Sequence, residues 1–261
     1  MSSTRGLFIV FEGLDRCGKS TQSDLLITFL RQQHGEDKAI KINFPDRETQ
    51  TGRQIDMFLQ KKQNFTPTEI HELYSRNRWE KRDFIVAALE RGTTVICDRY
   101  AFSGTAYSVA QGLDMAWCMS TDSGLPCPDI VFFLDVPPHV AAARKGYGEE
   151  RFEKTQFQCH VHEAFERLRD TITPAPGQHF RPVMTPASTT PSLPRPPPAD
   201  ARHPVLWVTV DGVLPPSGLQ EWVRTWVSEA IRADQWRHRT ELVLRWGPNP
   251  LQGLPDSAAR S

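Results

Sequence analysis

The chain has 261 residues, with 31 basic and 31 acidic side chains that cancel to no net charge when histidine is neutral. That balance gives no electrostatic footprint for polymeric nucleic acid or a membrane surface, and no apolar run approaches the ~20 residues a spanning helix needs. The five cysteines are scattered and never spaced C-x-x-C, which argues against a zinc knuckle or disulfide framework and for reduced thiols in a cytoplasmic protein with possible nuclear access.

Leu7 to Phe11 is a short apolar, partly β-branched run and reads as a buried strand. Gly13, Gly18, Lys19 and Ser20 follow it with the spacing G-x-x-x-x-G-K-S, and Gln22 to Gln33 then places Leu25, Leu26, Phe29 and Leu30 at helical spacing. Strand, glycine loop and helix start together define a phosphate cradle: backbone N–H groups and the helix N-terminus face the phosphates, Lys19 reaches the β- and γ-phosphates, and Ser20 offers its hydroxyl to Mg²⁺.

Lys38 to Phe44 reads as a second strand, closed by Pro45, and Gln54 to Gln60 as a short helix. Thr66-Pro67-Thr68-Glu69 is a capping-box helix start, with the helix running to about Glu90 and stopping before Gly92. Thr93 to Cys97 is a strand that runs into Asp98-Arg99-Tyr100; Tyr100 to Gln111 and Met115 to Thr121 are helical. Asp129 to Val136 is a further buried strand, with a helix from about Pro137, a charged glycine-bearing loop from Arg144 to Phe152, and a helix from Thr155 to Thr171. Cys159, His160 and His162 cluster there and are read as ordinary helix side chains. Thr173 to Pro204 is dense in proline, serine and threonine, too poor in apolar residues to order itself, and reads as an insertion. Val205 to Val210 is a strand, Leu219 to Ala233 an amphipathic helix, and residues 234–261 a frayed tail.

Five alternations of strand and helix predict a parallel sheet of five strands with helices on both faces, the three-layer α/β fold of P-loop NTPases. Such a sheet puts its ligand crevice at the carboxyl ends of the strands, where the phosphate loop, Phe44-Pro45 and Asp98-Arg99 all fall. Arg47 and Arg99 can hold an acceptor phosphate bidentately, and Asp98 can serve Mg²⁺ or a water; taken singly, the arginines also fit a solvated surface and Asp98 a turn.

GLDRCGKST, Phe44 to Arg47, YSRNRWE at Tyr74 to Glu80, DRYAFSGTAY at Asp98 to Tyr107 and GLPCPD at Gly124 to Asp129 occur in an order that resembles the thymidylate kinase family, of the eukaryotic and viral sort. The resemblance runs from about Arg5 to Thr171 and resumes from Val205 to Ala233. It implies an ATP:dTMP phosphotransferase using Mg²⁺, with a mobile lid and a homodimeric assembly. By the same resemblance Arg16, Lys19, Asp98 and Arg99 are catalytic, and Ser20 and Asp98 serve the metal. ATP is held by Gly13, Arg16, Cys17, Gly18, Lys19, Ser20, Thr21, Arg144 and Arg151. The acceptor, dTMP, is held by Asp15 at its 3′-hydroxyl, Arg47 and Arg99 at its phosphate, Tyr74 stacked on thymine and Arg78 at the O4 carbonyl. Phe44, Ser103, Gly104, Tyr107, Phe152 and Gln158 complete that site. Residues 144–153 match the lid, with Glu153 at a matching position and Phe152 in place of an expected tyrosine; Lys145 also faces donor phosphates in this reading. Adenine contacts near Asp211 and Gly212 stay open because the insertion precedes them. A deoxynucleoside kinase shares the phosphate loop but has no acceptor phosphate to hold; a catalytically weak nucleotide-binding partner protein is the non-enzyme alternative.

Overall fold

The computed structural model describes residues 5–144, 146–173, 178–181 and 205–233. Strand β1 (Phe8–Gly13) is wholly buried and pairs in parallel with β3 (Thr94–Asp98) on one side and β4 (Ile130–Asp135) on the other. With β2 (Ala39–Asn43), β6 (Leu206–Asp211) and β5 (His179–Phe180) the order across the sheet is β2-β3-β1-β4-β6-β5, every pairing parallel. Side chains alternate between the faces, so each strand feeds two cores. Phe8, Val10, Val95, Cys97, Val131, Phe133 and Trp207 meet α4 (Arg82–Glu90), α5 (Ala101–Val109) and α8 (Thr155–Ile172). Leu7, Ile9, Phe11, Ile96, Phe132 and Val208 meet α1 (Lys19–His34) and α9 (Pro216–Arg232).

The sheet thus has six strands rather than the expected five. β5 lies inside the stretch that composition marks as an insertion. It holds on through Trp207 N–H donating to Gln178 O at 2.8 Å, a His179–Thr209 hydrogen bond at 3.0 Å, and the Phe180 ring 5.2 Å from that of Trp226. Two residues surrounded by proline carry no readable period; the bare edge of β6 makes them a strand. Residues 182–204, Lys145 and the tail 234–261 lie outside the described residues.

The expected helix from Thr66 to about Glu90 is two helices, α3 (Pro67–Trp79) and α4. The capping box forms as the sequence predicts, with Thr66 and Glu69 bonded reciprocally. No breaker residue marks the bend at Glu80-Lys81. Contacts on either side impose it: Trp79 Nε1 donates to Thr121 O at 3.0 Å, and Lys81 pairs with Asp46 at 2.8 Å. α2 (Gln50–Leu59) begins four residues earlier than periodicity suggests, because the Thr49 side chain caps Gly52 N–H. A third apolar cluster joins Ile55, Phe58, Leu59 and Ile70 of α2 and α3 to Phe152 of the loop before α8. Two short helices, α6 (Met115–Ser120) and α7 (Pro138–Ala142), complete the described fold. Among the described residues no helix is long and apolar enough to cross a membrane.

Candidate active site

The register sets the site. Phe11 lies opposite Asp98 and Gly13 opposite Leu134, so the loop leaving β1 emerges between two buried neighbours at the carboxyl end of the sheet. Gly13 has φ 138°, and a Cβ there would sit 2.7 Å from Leu134 O, so only glycine lets the chain turn this close to β4. Beyond it opens a cleft of about 720 Å³, lined by Asp15, Arg16, Gly18 to Thr21, Phe44, Arg47, Tyr74, Arg78, Asp98, Arg99, Ser103, Gly104, Tyr107, Arg144 and Phe152. Most of the residues expected at the site from sequence therefore converge on one cavity.

Lys19 is buried, and its Nζ donates to Leu14 O at 2.6 Å and lies 3.4 Å from Cys17 Sγ; Cys17 and Gly13 thus support the loop from beneath rather than line the cleft. Ser20 Oγ donates to Asp98 Oδ2 at 2.5 Å, which joins the first turn of α1 to the end of β3. That hydroxyl and carboxylate are hard oxygen donors of the kind Mg²⁺ takes beside a phosphate chain. No group of three or more His, Cys, Asp or Glu suited to a metal occurs among the described residues, and His162 instead bonds Asp135 at 2.9 Å.

Arg99 follows Asp98 with φ 65°, a conformation that costs a non-glycine residue on the order of 1 kcal/mol or more. Glu12, fully buried in β1, holds the turn by accepting from Tyr100 N–H at 2.8 Å, Ser103 N–H at 3.0 Å and Ser103 Oγ. Burial raises its carboxyl pKa, against the pull of Ser103 and Arg99. The Arg99 fork is aimed into the cleft: Nη1 donates to Gly13 O and Ser103 Oγ, both at 3.0 Å, and Nη2 to Asp15 at 2.5 Å. Gln158 braces Asp15 from α8, its Nε2 donating to the carboxylate at 2.9 Å and its Oε1 accepting from the backbone N–H at 3.2 Å. Burial raises the phenol pKa of Tyr74 and Tyr107, which keeps both rings neutral walls.

Acids of the loop that precedes α8 pair with arginines of the cleft. Arg16 donates to Glu153 at 2.8 Å and to Gly146 O at 2.7 Å, while the other Glu153 oxygen accepts from Gly148 and Glu150 N–H. Arg47 bridges Asp56 at 2.6 Å and Glu150 at 2.7 Å. Arg144 spans Arg16 O at 2.6 Å and Gly212 O at 3.0 Å, on the side where β6 ends.

Arg151 departs from its expected place. Its guanidinium donates to Phe58 O, Gln63 O and Asn64 at 2.8 to 3.0 Å and lies 4.2 Å over the Phe58 ring, so it caps the end of α2 and does not line the cleft. Arg78 reaches the cleft as expected, but as half of a buried pair with Asp122. Sequence reasoning misses Glu12, Asp122 and Glu150. The first looks like a strand residue, the second like a turn acid and the third like lid surface, and none has a motif to flag it.

A parallel sheet with a phosphate loop at its centre, and a single cleft that joins that loop to a set of arginines beneath a charged loop, is the architecture of a nucleotide kinase. A family model for thymidylate kinase matches residues 11–178. The chain is 51% identical over 165 residues to the thymidylate kinase of Schizosaccharomyces pombe, covering 63% of this chain and 78% of that one. To the human thymidylate kinase it is 41% identical over 174 residues, covering 66% and 81%. Its fold matches the solved structure of a Candida albicans thymidylate kinase with a TM-score of 0.66 at 32% identity, covering 90% of this chain and 95% of that one. The chain belongs to the thymidylate kinase family, and as a member it is an enzyme, a dTMP kinase that makes dTDP at the expense of ATP.

Proposed function

We propose that the cleft performs this transfer with the following division of labour. The loop N–H groups, Lys19, Arg16 and Arg144 bind the donor triphosphate. Arg47 and Arg99 take the 5′-phosphate of dTMP, Asp15 the 3′-hydroxyl, and Tyr74, Arg78, Phe44 and Phe152 the base. An acceptor phosphate oxygen forms a bond to the γ-phosphorus while the β–γ bridging bond breaks, and the bridging oxygen leaves with ADP. Transfer of this kind is catalysed by positioning and by cations that spread the developing charge. Ser20 and Asp98 would hold Mg²⁺, which would supply neutralisation of the charge on the donor phosphates. Residues 144–153 act as a lid that excludes water from the transfer, and residues 1–233 form one catalytic domain.

The observation that carries the reading is the convergence of Arg99, Asp15 and the Lys19 loop in one cleft, with Arg47 at its rim. The family resemblance extends it to a homodimer, and the five free cysteines fit a reducing compartment such as the cytoplasm or nucleus. Arg99→Ala tests it: dTMP-dependent ADP release should fall by about 10³-fold or more, with the thermal midpoint retained closely enough to show a folded chain. Near-normal turnover in that variant overturns the reading.

A further inference from the structure

Arg78 and Asp122 are both almost wholly buried, 2% and 0% exposed at the side chain, and lie 44 positions apart in sequence. Asp122 Oδ1 accepts from Arg78 Nε at 3.1 Å and from Ser75 Oγ at 2.9 Å, and Oδ2 accepts from Arg78 Nη2 at 2.7 Å. Both oxygens are thus used, and the guanidinium plane is fixed from behind. Nη1 makes no hydrogen bond to a described residue. Gly104 makes room for the fork itself, since a Cβ there would lie 2.6 Å from Nη2 and 2.8 Å from Nη1. Arg78 and Gly104 line the cleft; Asp122 does not.

We propose that Asp122 is a positioning residue that sets which pyrimidine the cleft accepts. This rests on the reading of function given above. A guanidinium has donors only. Locked by Asp122, it presents an N–H that a carbonyl at pyrimidine C4 satisfies. An amino group at that position brings donor against donor and leaves a desolvated N–H without a partner. Once the carboxylate is gone the fork can tilt, and the penalty on the amino base falls. Asp122 never touches the substrate in this account; it acts through Arg78, in the space that Gly104 leaves open.

The test is a comparison of initial rates on dTMP and dCMP for the wild type, Asp122→Asn and Gly104→Ala. In Asp122→Asn the KM for dTMP should rise roughly tenfold or more, as loss of a charge-assisted hydrogen bond gives. The kcat and the KM for ATP should stay within about twofold, and the preference for dTMP over dCMP should shrink by about the factor lost in KM. Gly104→Ala displaces the fork while leaving Asp122 in place, and should give the same signature. If Asp122→Asn does not fold, Gly104→Ala alone decides. A loss confined to kcat, or undiminished preference in either folded variant, overturns the proposal and leaves the function standing. A wild type with no preference for dTMP over dCMP removes the reading of function and the proposal together.

Discussion

Arg99 sits in a left-handed turn that a lysine or leucine would resist equally. It stays there because the buried carboxylate of Glu12, one residue before the phosphate loop, accepts three hydrogen bonds from the residues that follow Arg99. Lys19, Ser20 and Arg99 are legible in sequence because their neighbours along the chain define their task. Glu12 and Asp122 are not, since each acts on a partner more than forty positions away that the residues along the chain beside it do not announce. Arg151 shows the opposite error: a basic residue in a basic loop invites a phosphate role, whereas three acceptors at the end of α2 claim it. The Ser20–Asp98 contact makes its own prediction. Ser20→Ala should raise the Mg²⁺ concentration for half-maximal rate by about tenfold, a donor to the metal having been removed. An unchanged Mg²⁺ dependence, measured at saturating ATP, would separate Ser20 from the metal.

Helices whose signals are local came out of the sequence well. The Thr66-Pro67-Glu69 start of α3 needs only its own turn, and the structure has it. The break at Glu80-Lys81 and the edge strand β5 needed knowledge of what packs beside them, Thr121 and Asp46 in one case and β6 in the other. Strand β5 narrows the insertion to 182–204, a stretch to which no phosphate- or base-binding role is assigned. Replacing 182–204 by a shorter Gly-Ser linker should leave kcat and both KM values within about twofold, because loop length alone changes closure entropy slowly. Loss of soluble, active enzyme on that replacement, read by steady-state kinetics and a thermal melt, would show that the segment carries more than a connection.

The two faces of the sheet are stabilised by apolar packing, but the wall of the acceptor pocket also rests on a buried polar network. His71 is wholly buried, and its ring bonds Ser108 at 2.8 Å, Thr121 at 3.0 Å and Cys118 O at 3.2 Å, joining α3, α5 and α6. Desolvation, with Arg78 nearby, pushes its pKa down from 6.5 to about 4. The fold therefore holds the neutral ring while the unfolded chain takes up a proton near pH 6.5. Stability from this residue is complete above that pH and drains away as pH falls toward about 4. His162 runs the other way: its bond to Asp135 raises its pKa, so its contribution fades as pH rises. From about pH 7 to about pH 5 the wild type should lose on the order of 2 kcal/mol more unfolding free energy than a His71→Asn variant. Parallel slopes in urea melts at the two pH values would contradict that.

The central claim, that this cleft moves a phosphoryl group from ATP to dTMP, is tested most directly by ADP release from Mg²⁺ and ATP with dTMP, dUMP, UMP and thymidine offered separately to the purified chain. The account predicts the highest turnover on dTMP, poor turnover on UMP, and none on thymidine, which would bring no phosphate to Arg47 and Arg99. Turnover on thymidine with none on dTMP would contradict it and make the chain a nucleoside kinase.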